Sequence, residues 1–181
     1  MKRYRIYLLM LIALFASAGE IHAQLISFKT NALLWMNSTP NVSLELVTGR
    51  RTSLDGTVFY TIPANPLNFD LRGASVEYRY WISGRPLIRS FVGISLAGGR
   101  YDVSATKDYR HWGDAGGVGM TYGYALKVGK RWNIEFVSGV GLMFFREKRC
   151  AKDEDVNNVP YNEHGHRFLP NKVGVSAAYT F

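Results

Sequence analysis

The chain has 181 residues, of which 47% are hydrophobic and 14% aromatic, and a formal net charge of +8. This length suits one domain, and the single cysteine, Cys150, excludes an intrachain disulfide. The basic residues are spread along the chain without a dense run, which argues against nucleic-acid binding and favours attraction to lipid phosphate.

Residues 1–23 have the composition of a secretory signal peptide. Three basic residues near the start precede an apolar segment at 6–16, which is too short for a transmembrane helix. Small residues provide cleavage motifs at 16–18 and 21–23, and we predict cleavage after position 23. Removing the leader's three basic residues and one acidic residue lowers the net charge from +8 to +6, and the remaining 158 residues, 24–181, form one predicted domain.

Five segments before residue 102 alternate between apolar residues and small or polar ones, the period of two that is typical of a β-strand. The clearest segment has Val76, Tyr78 and Tyr80 on one face. Glu77 and Arg79 lie on the other face. Turn-forming residues, mainly Gly, Pro, Asn and Ser, separate the segments. The predicted strands are 28–36, 42–47, 52–61, 73–81 and 89–101.

The longest alternation, over residues 116–145, predicts a hairpin of two strands joined by a tight turn at 129–131. One face carries large apolar side chains such as Tyr122 and Ile134, and the other is mainly Gly, Ala, Ser and Thr with an occasional charge. A face of small residues suits the crowded inside of a narrow closed barrel, so we predict that the large side chains face lipid. A lipocalin-like soluble barrel with the two faces reversed is the alternative.

An eighth strand, 172–181, ends on Phe181, with Tyr179 two residues earlier. We interpret Tyr179 and Phe181 as an assembly signal that the barrel assembly machinery reads by strand addition. With this even strand count, the sequence predicts an all-β fold. The predicted architecture is an eight-stranded antiparallel transmembrane up-and-down β-barrel in the cell outer membrane, following an N-terminal signal peptide.

The predicted connections alternate in length. Those after strands two, four and six are short, whereas those after strands three, five and seven are long, at 62–72, 102–115 and 146–171. Short periplasmic turns and longer external loops are typical of bacterial outer-membrane barrels, and only the first external connection, 37–41, departs from this pattern.

The turn at 49–51 resembles the turn at 129–131. Each has a glycine followed by two basic residues, and a carboxylate, Asp55 or Glu135, lies four residues after the second of these. Shared turn chemistry at the membrane rim is the favoured interpretation, and a trace of internal duplication is the alternative.

Eight charged residues are predicted to point into the barrel. Eight-stranded barrels have interiors just wide enough for side chains to fill, and buried charges are costly unless they are paired. We therefore predict that these residues form an ion-pair network, and that Glu77 or Glu135 lies within salt-bridge reach of one of three basic residues in it. Those three are Arg79, Lys127 and Lys172. A path for protons or small ions through the same residues is the alternative. The full set is Lys29, Glu45, Asp55, Glu77, Arg79, Lys127, Glu135 and Lys172.

Four residues in the predicted loop after strand five are candidates for binding. Tyr101, Tyr109, His111 and Trp112 include large aromatic side chains of the kind that anchor partners. Packing on the barrel rim, or a place at the lipid interface, is the alternative.

Two other loop patterns contain residue types that are suited to metal binding or to catalysis, but these residues do not have the spacing of a known motif. The two histidines of the His-Gly-His sequence at 164–166 lie near carboxylates but have no partner ligands at a fixed spacing, so we predict no metal site. His111 and Ser104 have the residue types of two members of a catalytic triad. Either Asp102 or Asp108 would complete it, but the spacing matches no motif. We predict no catalytic residue and no cofactor, with a lipid-modifying barrel enzyme as the alternative.

Several segments carry a family resemblance, including KTNALLW at 29–35, EYRYW at 77–81 and GKRWNIE at 129–135. On these segments the chain resembles an uncharacterised Gram-negative outer-membrane β-barrel family catalogued as domain of unknown function 3575. The resemblance implies an outer-membrane barrel and no catalytic assignment. Some relatives have more than one cysteine in the last long loop, where this chain has only Cys150, and similar proteins are often encoded beside fimbrial or other surface-structure components.

These patterns favour an outer-membrane barrel with a structural or surface-binding role through its long external loops. An assembly or anchoring factor for fimbria-like surface structures is the second hypothesis. The expected partners are outer-membrane lipid, the barrel assembly machinery and, under the second hypothesis, fimbrial or other surface proteins.

Overall fold

The computed structural model describes residues 25–62, 66–103, 109–151 and 160–181. The predicted signal peptide lies outside the described residues. No helix within these ranges is long and apolar enough to cross a bilayer. One short helix, α1 (Ala32–Met36), accompanies eight strands. The strands are β1 (Ile26–Asn31), β2 (Asn41–Val47), β3 (Thr52–Tyr60), β4 (Phe69–Trp81), β5 (Arg89–Val103), β6 (Tyr109–Lys127), β7 (Trp132–Ala151) and β8 (Glu163–Thr180).

A single antiparallel sheet closes on itself to form the barrel. Each strand pairs with the next along the chain, and β8 pairs with β1. At this seam Ser27 lies opposite Thr180, and Asn31 lies opposite Ser176. The predicted all-β fold of eight antiparallel strands in one closed barrel is confirmed.

Large apolar side chains point out of the barrel, and small or charged ones point in. On β6, Met120 is 71% exposed and Tyr122 is 56% exposed, whereas Thr121 between them is only 4% exposed. On β4, Glu77 and Arg79 are completely buried. This is the reverse of the usual soluble arrangement, in which charged residues are seldom fully buried.

The prediction of a strand over residues 28–36 is wrong in its second half, where α1 forms. The segment is rich in Ala, Leu and Met, which are strong helix formers, and it lacks alternation. The Asn31 side chain accepts a hydrogen bond of 3.0 Å from the backbone N–H of Leu33 and so caps the first turn. The connection from β1 to β2 therefore includes a helix and is longer than predicted.

The predicted loops 102–115 and 146–171 consist largely of strand. β5 and β6 remain paired as far as Val103 and His111, and β7 and β8 extend alongside them. The apolar alternation stops earlier because the outward residues become charged, but backbone pairing does not depend on that alternation. The predicted loop 62–72 is also shorter, since β4 begins before residue 73.

The two turns that resemble each other in sequence have the same backbone hydrogen bonds. The N–H groups of residues 48–49 both donate to the carbonyl of Thr52, at 3.0 and 3.2 Å. Those of residues 128–129 both donate to the carbonyl of Trp132, at 3.0 and 3.1 Å. These turns mark one end of the barrel, which we call the short-turn end. The opposite end, where β5–β6 and β7–β8 project, is the long-hairpin end.

Candidate functional site

Three carboxylates form a row across neighbouring strands inside the barrel. Glu45, Asp55 and Glu77 lie directly opposite one another on β2, β3 and β4. All three are buried. Like charges opposite one another on adjacent strands destabilise a sheet, so this row requires cations from elsewhere in the barrel.

Arg79 supplies the central positive charge. Its Nη1 donates to Glu45 Oε2 at 3.0 Å and to Glu135 Oε2 at 2.9 Å. Its Nη2 donates to Glu77 Oε2 at 3.2 Å and lies 3.6 Å from Asp55 Oδ1. A guanidinium carries five donors in a fixed plane, which allows one side chain to join carboxylates from four strands.

Two lysines reach the same carboxylates from the strands at the seam. Lys29 Nζ, on β1, lies 2.7 Å from Glu45 Oε2 and 2.6 Å from Asp55 Oδ2. Lys172, on β8, forms a salt bridge with Glu77 and lies 3.3 Å from Asp55 Oδ1. The network therefore spans the lumen instead of following one wall.

Seven of the eight residues predicted for the interior network belong to this charged network inside the barrel. Glu77 and Glu135 are both within salt-bridge reach of Arg79. The prediction is wrong for Lys127, whose side chain is exposed. Lys127 is the last residue of β6, and its long side chain reaches solvent beside the turn. Cys150, expected in a loop, is instead a buried free thiol in β7.

Uncharged side chains also bond to the network, among them Ser53, Trp81 and Thr121, which the sequence did not assign to it. Ser53 Oγ donates to Glu45 Oε1 at 2.5 Å, and Trp81 Nε1 donates to Ser53 Oγ at 2.8 Å. Thr121 Oγ1 donates to Glu77 Oε1 at 2.6 Å. A signal for Trp81 existed, because it lies on β4 with the same inward parity as Glu77.

An apolar cluster fills the lumen between the network and the short-turn end. The rings of Trp81 and Phe91 are both fully buried and 4.8 Å apart, and the Arg79 guanidinium lies 4.3 Å from the centre of the Phe91 ring. Leu87 enters from the turn between β4 and β5, where its carbonyl accepts a 2.8 Å hydrogen bond from Asn133 Nδ2. The charged network and this cluster together block the lumen near the short-turn end.

A cavity of 550 Å³ lies at the long-hairpin end, and we call it the hairpin chamber. Its polar lining includes Tyr101, His111, Glu147, Arg167 and Asn171. Its apolar lining includes Phe59, Phe69, Leu71, Met143, Phe145 and Leu169. A largely apolar cavity with a few convergent polar groups is the usual form of a ligand site.

Glu147 is the centre of the polar groups in the hairpin chamber. Tyr101 Oη donates to Glu147 Oε2 at 2.5 Å, and His111 Nδ1 lies 3.1 Å from Glu147 Oε1. Burial alone would raise the pKa of Glu147, but the hydrogen bonds with Tyr101 and His111 hold that pKa below its usual value. Burial and the bond to Glu147 raise the pKa of Tyr101. This cluster links β5, β6 and β7.

The structure corrects the prediction that four candidate binding residues lie in a loop. Tyr101 is on β5, and Tyr109, His111 and Trp112 are on β6. Tyr101 and His111 line the hairpin chamber, whereas Trp112 is on the outer face. These residues lie on strands because β5 and β6 remain paired as far as Val103 and His111.

The side chains of the hypothetical triad do not converge in the described residues. Asp102 forms a salt bridge with Arg110, and the carboxylate next to His111 is Glu147. Ser104 and Asp108 lie outside the described residues. Within the described ranges, no group of three or more His, Cys, Asp or Glu residues could hold a metal ion.

Tyr179 and Phe181 lie at the seam that closes the barrel. The backbone N–H of Phe181 donates to the carbonyl of Ile26 at 3.0 Å, and the Phe181 ring lies 6.2 Å from that of Phe28. The Tyr179 ring lies 5.0 Å from that of Trp132. Their role as an assembly signal remains a prediction.

The closed sheet, the outward apolar side chains and the inward charged network define a small β-barrel of eight strands. The chain belongs to the family described as protein of unknown function (DUF3575), whose model matches residues 7–181. The resemblance seen in the sequence is thus confirmed. No curated protein and no solved structure matches the chain.

Proposed function

We propose that this protein is an outer-membrane β-barrel, exported by its signal peptide, with a closed lumen and a surface-binding role through the long-hairpin end. The observation that carries the proposal is a band of exposed apolar side chains to which every strand contributes. The band includes Phe28, Leu44, Leu54, Tyr78, Ile94, Met120, Phe136 and Val173, each at least 37% exposed. Soluble monomers rarely expose apolar patches above a few hundred Å².

The height of the band agrees with a bilayer. On β6 the outward apolar face runs from Leu126 to Val118 and ends at Gly116. The ten steps from Leu126 to Gly116, at about 3.4 Å each and tilted by about 40°, rise roughly 26 Å, close to the height of about 25 Å of the apolar band of outer-membrane barrels.

Aromatic and basic side chains border the band at the short-turn end. The hydroxyl of Tyr80 accepts a hydrogen bond of 3.2 Å from Arg51 Nη1. The hydroxyl of Tyr179 likewise accepts one of 3.2 Å from Arg131 Nη1. Aromatic rings at the headgroup level, with basic residues beyond them, are typical of a membrane interface.

Cell fractionation tests the location. The mature protein is expected in the outer-membrane fraction, and unboiled samples are expected to migrate differently on a gel from boiled ones because a closed barrel resists unfolding. Recovery in the soluble periplasm would favour the soluble-barrel alternative and overturn the proposal.

The hairpin chamber and the projecting strands around it support the binding role. Photo-crosslinking in intact cells from Tyr109, at the long-hairpin end, tests this role, with a crosslinker at Lys130 in the opposite turn as the control. Specific adducts from position 109 and not from 130 are expected. The same adducts from both positions, or none from 109, would contradict binding through this end.

A further inference from the structure

A basic and aromatic patch lies on the outer face of the long hairpins. Asp114 organises it: Arg100 Nε donates to Asp114 Oδ1 at 2.9 Å, and Tyr161 Oη donates to Asp114 Oδ2 at 2.9 Å. Arg146 Nη2 lies 3.3 Å from Asp114 Oδ2. We call this group the basic patch. It consists of Arg100, Trp112, Asp114, Arg146, Lys148 and Tyr161.

The basic patch carries three cations and one carboxylate, stacked on two aromatic rings. The Arg100 guanidinium lies 4.6 Å from the centre of the Trp112 ring, and Lys148 Nζ lies 5.2 Å from it. The side chains of Arg100 and Arg146 are 46% and 65% exposed. Each guanidinium has five donors and uses few of them on Asp114, so both can still bind an anion.

A groove on the barrel's outer face lies directly beside the patch. It has a volume of 500 Å³, a floor that includes Gly98 and Gly116, and walls that include Leu96, Val118 and Phe144. The register explains this position, because Gly98 and Gly116 are opposite each other one outward row below Arg100 and Asp114. Successive outward rows are about 7 Å apart.

The two glycines in the groove floor are not required by packing within the chain. A β-carbon at Gly98 would lie 3.9 Å from its nearest neighbour, and one at Gly116 would lie 3.5 Å from it. At the adjacent Gly117, which faces inward, a β-carbon would lie 2.2 Å from the Leu142 carbonyl oxygen. Side chains at 98 and 116 would therefore fit the barrel but would fill the groove.

We propose that the basic patch and this groove bind one anionic lipid of the surrounding leaflet, with its phosphate on Arg100 and Arg146 and an acyl chain in the groove. Arginine suits phosphate because its planar donors can engage two oxygens at once. The apolar groove within one row of the guanidinium groups matches the short distance between a lipid phosphate and the start of its chains. This inference depends on the proposed membrane location.

Native mass spectrometry of the detergent-solubilised full barrel tests the site, with phosphatidic acid as the probe and phosphatidylcholine as the zwitterionic control. We expect a preference for phosphatidic acid that falls roughly tenfold or more in the Arg100→Gln/Arg146→Gln variant. The Arg50→Gln/Lys130→Gln variant, which loses two charges at the short-turn end, should keep the preference. An equal loss in both variants would overturn the proposal.

A second pair of variants tests the groove. Gly98→Val/Gly116→Val should retain less phosphatidic acid, whereas Ser138→Val/Ala177→Val, which also places two valines on the outer face but away from the groove, should retain it normally. Folding of each variant is checked by the gel shift on boiling, and the single Arg146→Gln variant tests the patch again if a double variant does not fold. Unchanged binding after the groove is filled would contradict the acyl-chain site.

Inorganic phosphate separates a lipid site from a simple anion site. Excess inorganic phosphate should leave bound phosphatidic acid in place, because the groove contributes to binding. Displacement at phosphate concentrations equal to those of the lipid would overturn the lipid assignment. A barrel that inserts into membranes but shows no lipid preference defeats only this inference, whereas a protein that remains soluble defeats the proposed function.

Discussion

At the scale of single residues, Arg79 holds the barrel interior together. It contacts four carboxylates from four strands, and among the described residues two lysines, Lys29 and Lys172, provide further positive charge to them. The network contains four carboxylates and three cations, so removing a cation and removing a carboxylate should have unequal effects on the stability of the barrel.

Arg79→Met is expected to destabilise the barrel by about 3–5 kcal/mol, because it leaves buried carboxylates without their central partner. Glu135→Gln should cost less, since it keeps the size of the side chain and leaves three carboxylates with three cations. The urea midpoint of refolding in detergent measures both. Equal midpoints for Arg79→Met and the wild type would show that the network is not needed for stability.

Adjacent glycines on β6 provide a second test of the two faces. Gly117→Ala is expected to cost about 1–3 kcal/mol, because the new β-carbon would collide with backbone inside the sheet. Gly116→Ala is the matched control and should be nearly neutral, since its β-carbon would make ordinary van der Waals contact, 3.5 Å from the nearest atom. A larger effect at 116 than at 117 would mean that the assigned faces are reversed.

At the scale of elements, Glu147 fastens three of the projecting strands. Its pKa in the folded protein lies below the usual value, so its stabilising contribution is present above the ordinary glutamate pKa of about 4.3 and is lost as the pH falls through the lower, folded value. The long hairpins should therefore loosen in acid before the barrel wall does.

Hydrogen exchange at the paired ends of β5 and β6, corrected for intrinsic rates, measures this loosening. Protection should fall between about pH 6 and about pH 3 in the wild type. In Glu147→Gln, protection should already be lower at neutral pH and should change less with acid. Identical pH profiles in the two proteins would rule out Glu147 as the fastening residue.

The seam gives a further expectation at this scale. Phe181 is 67% exposed, so Phe181→Ala should change the stability of the finished barrel little. If Phe181 is read during assembly, the variant should accumulate less folded barrel in cells. The fraction that shifts on boiling measures this yield. Normal yield in cells would remove Phe181 from the assembly signal.

At the scale of the whole molecule, alternation predicted the eight strands, and the small residues of the inward face predicted that the sheet closes into a barrel. It did not predict the full length of β5–β8, because beyond the apolar band the outward rows are charged, as at Arg100 and Asp114, and only backbone pairing continues the strands. α1 was missed because a consecutive apolar run does not distinguish a buried strand from a short helix.

The interior network was predictable in its members but not in its contacts. Parity assigned Glu45, Asp55 and Glu77 to one face, but only the register between strands sets them in a single row, with Arg79 one inward row further along β4. Lys127 has the inward parity and fails because it is the last residue of its strand, a boundary that periodicity locates poorly. The hairpin chamber is lined by residues of six strands, β3 to β8, whose alignment depends on the register, so the sequence could not define it.

A closed lumen has an electrical consequence. Because the network and the cluster of Trp81, Phe91 and Leu87 block the lumen near the short-turn end, the reconstituted barrel should give no stable single-channel conductance in a planar bilayer. Replacing all three members of the cluster with alanine should leave conductance low, since the charged network remains. Large, stable openings of the wild type would contradict a plugged barrel.

The proposed membrane location requires that the apolar outer face of the barrel contacts acyl chains. Spin labels on single cysteines at Met120 and Lys130, in a Cys150→Ser background reconstituted into lipid vesicles, test it directly by their collision rates with oxygen and with a water-soluble nickel complex. At Met120 we expect frequent collisions with oxygen and few with nickel, and at Lys130 the opposite. Frequent collisions with nickel at Met120 would mean that this face is in water, which would contradict the proposed contact with acyl chains.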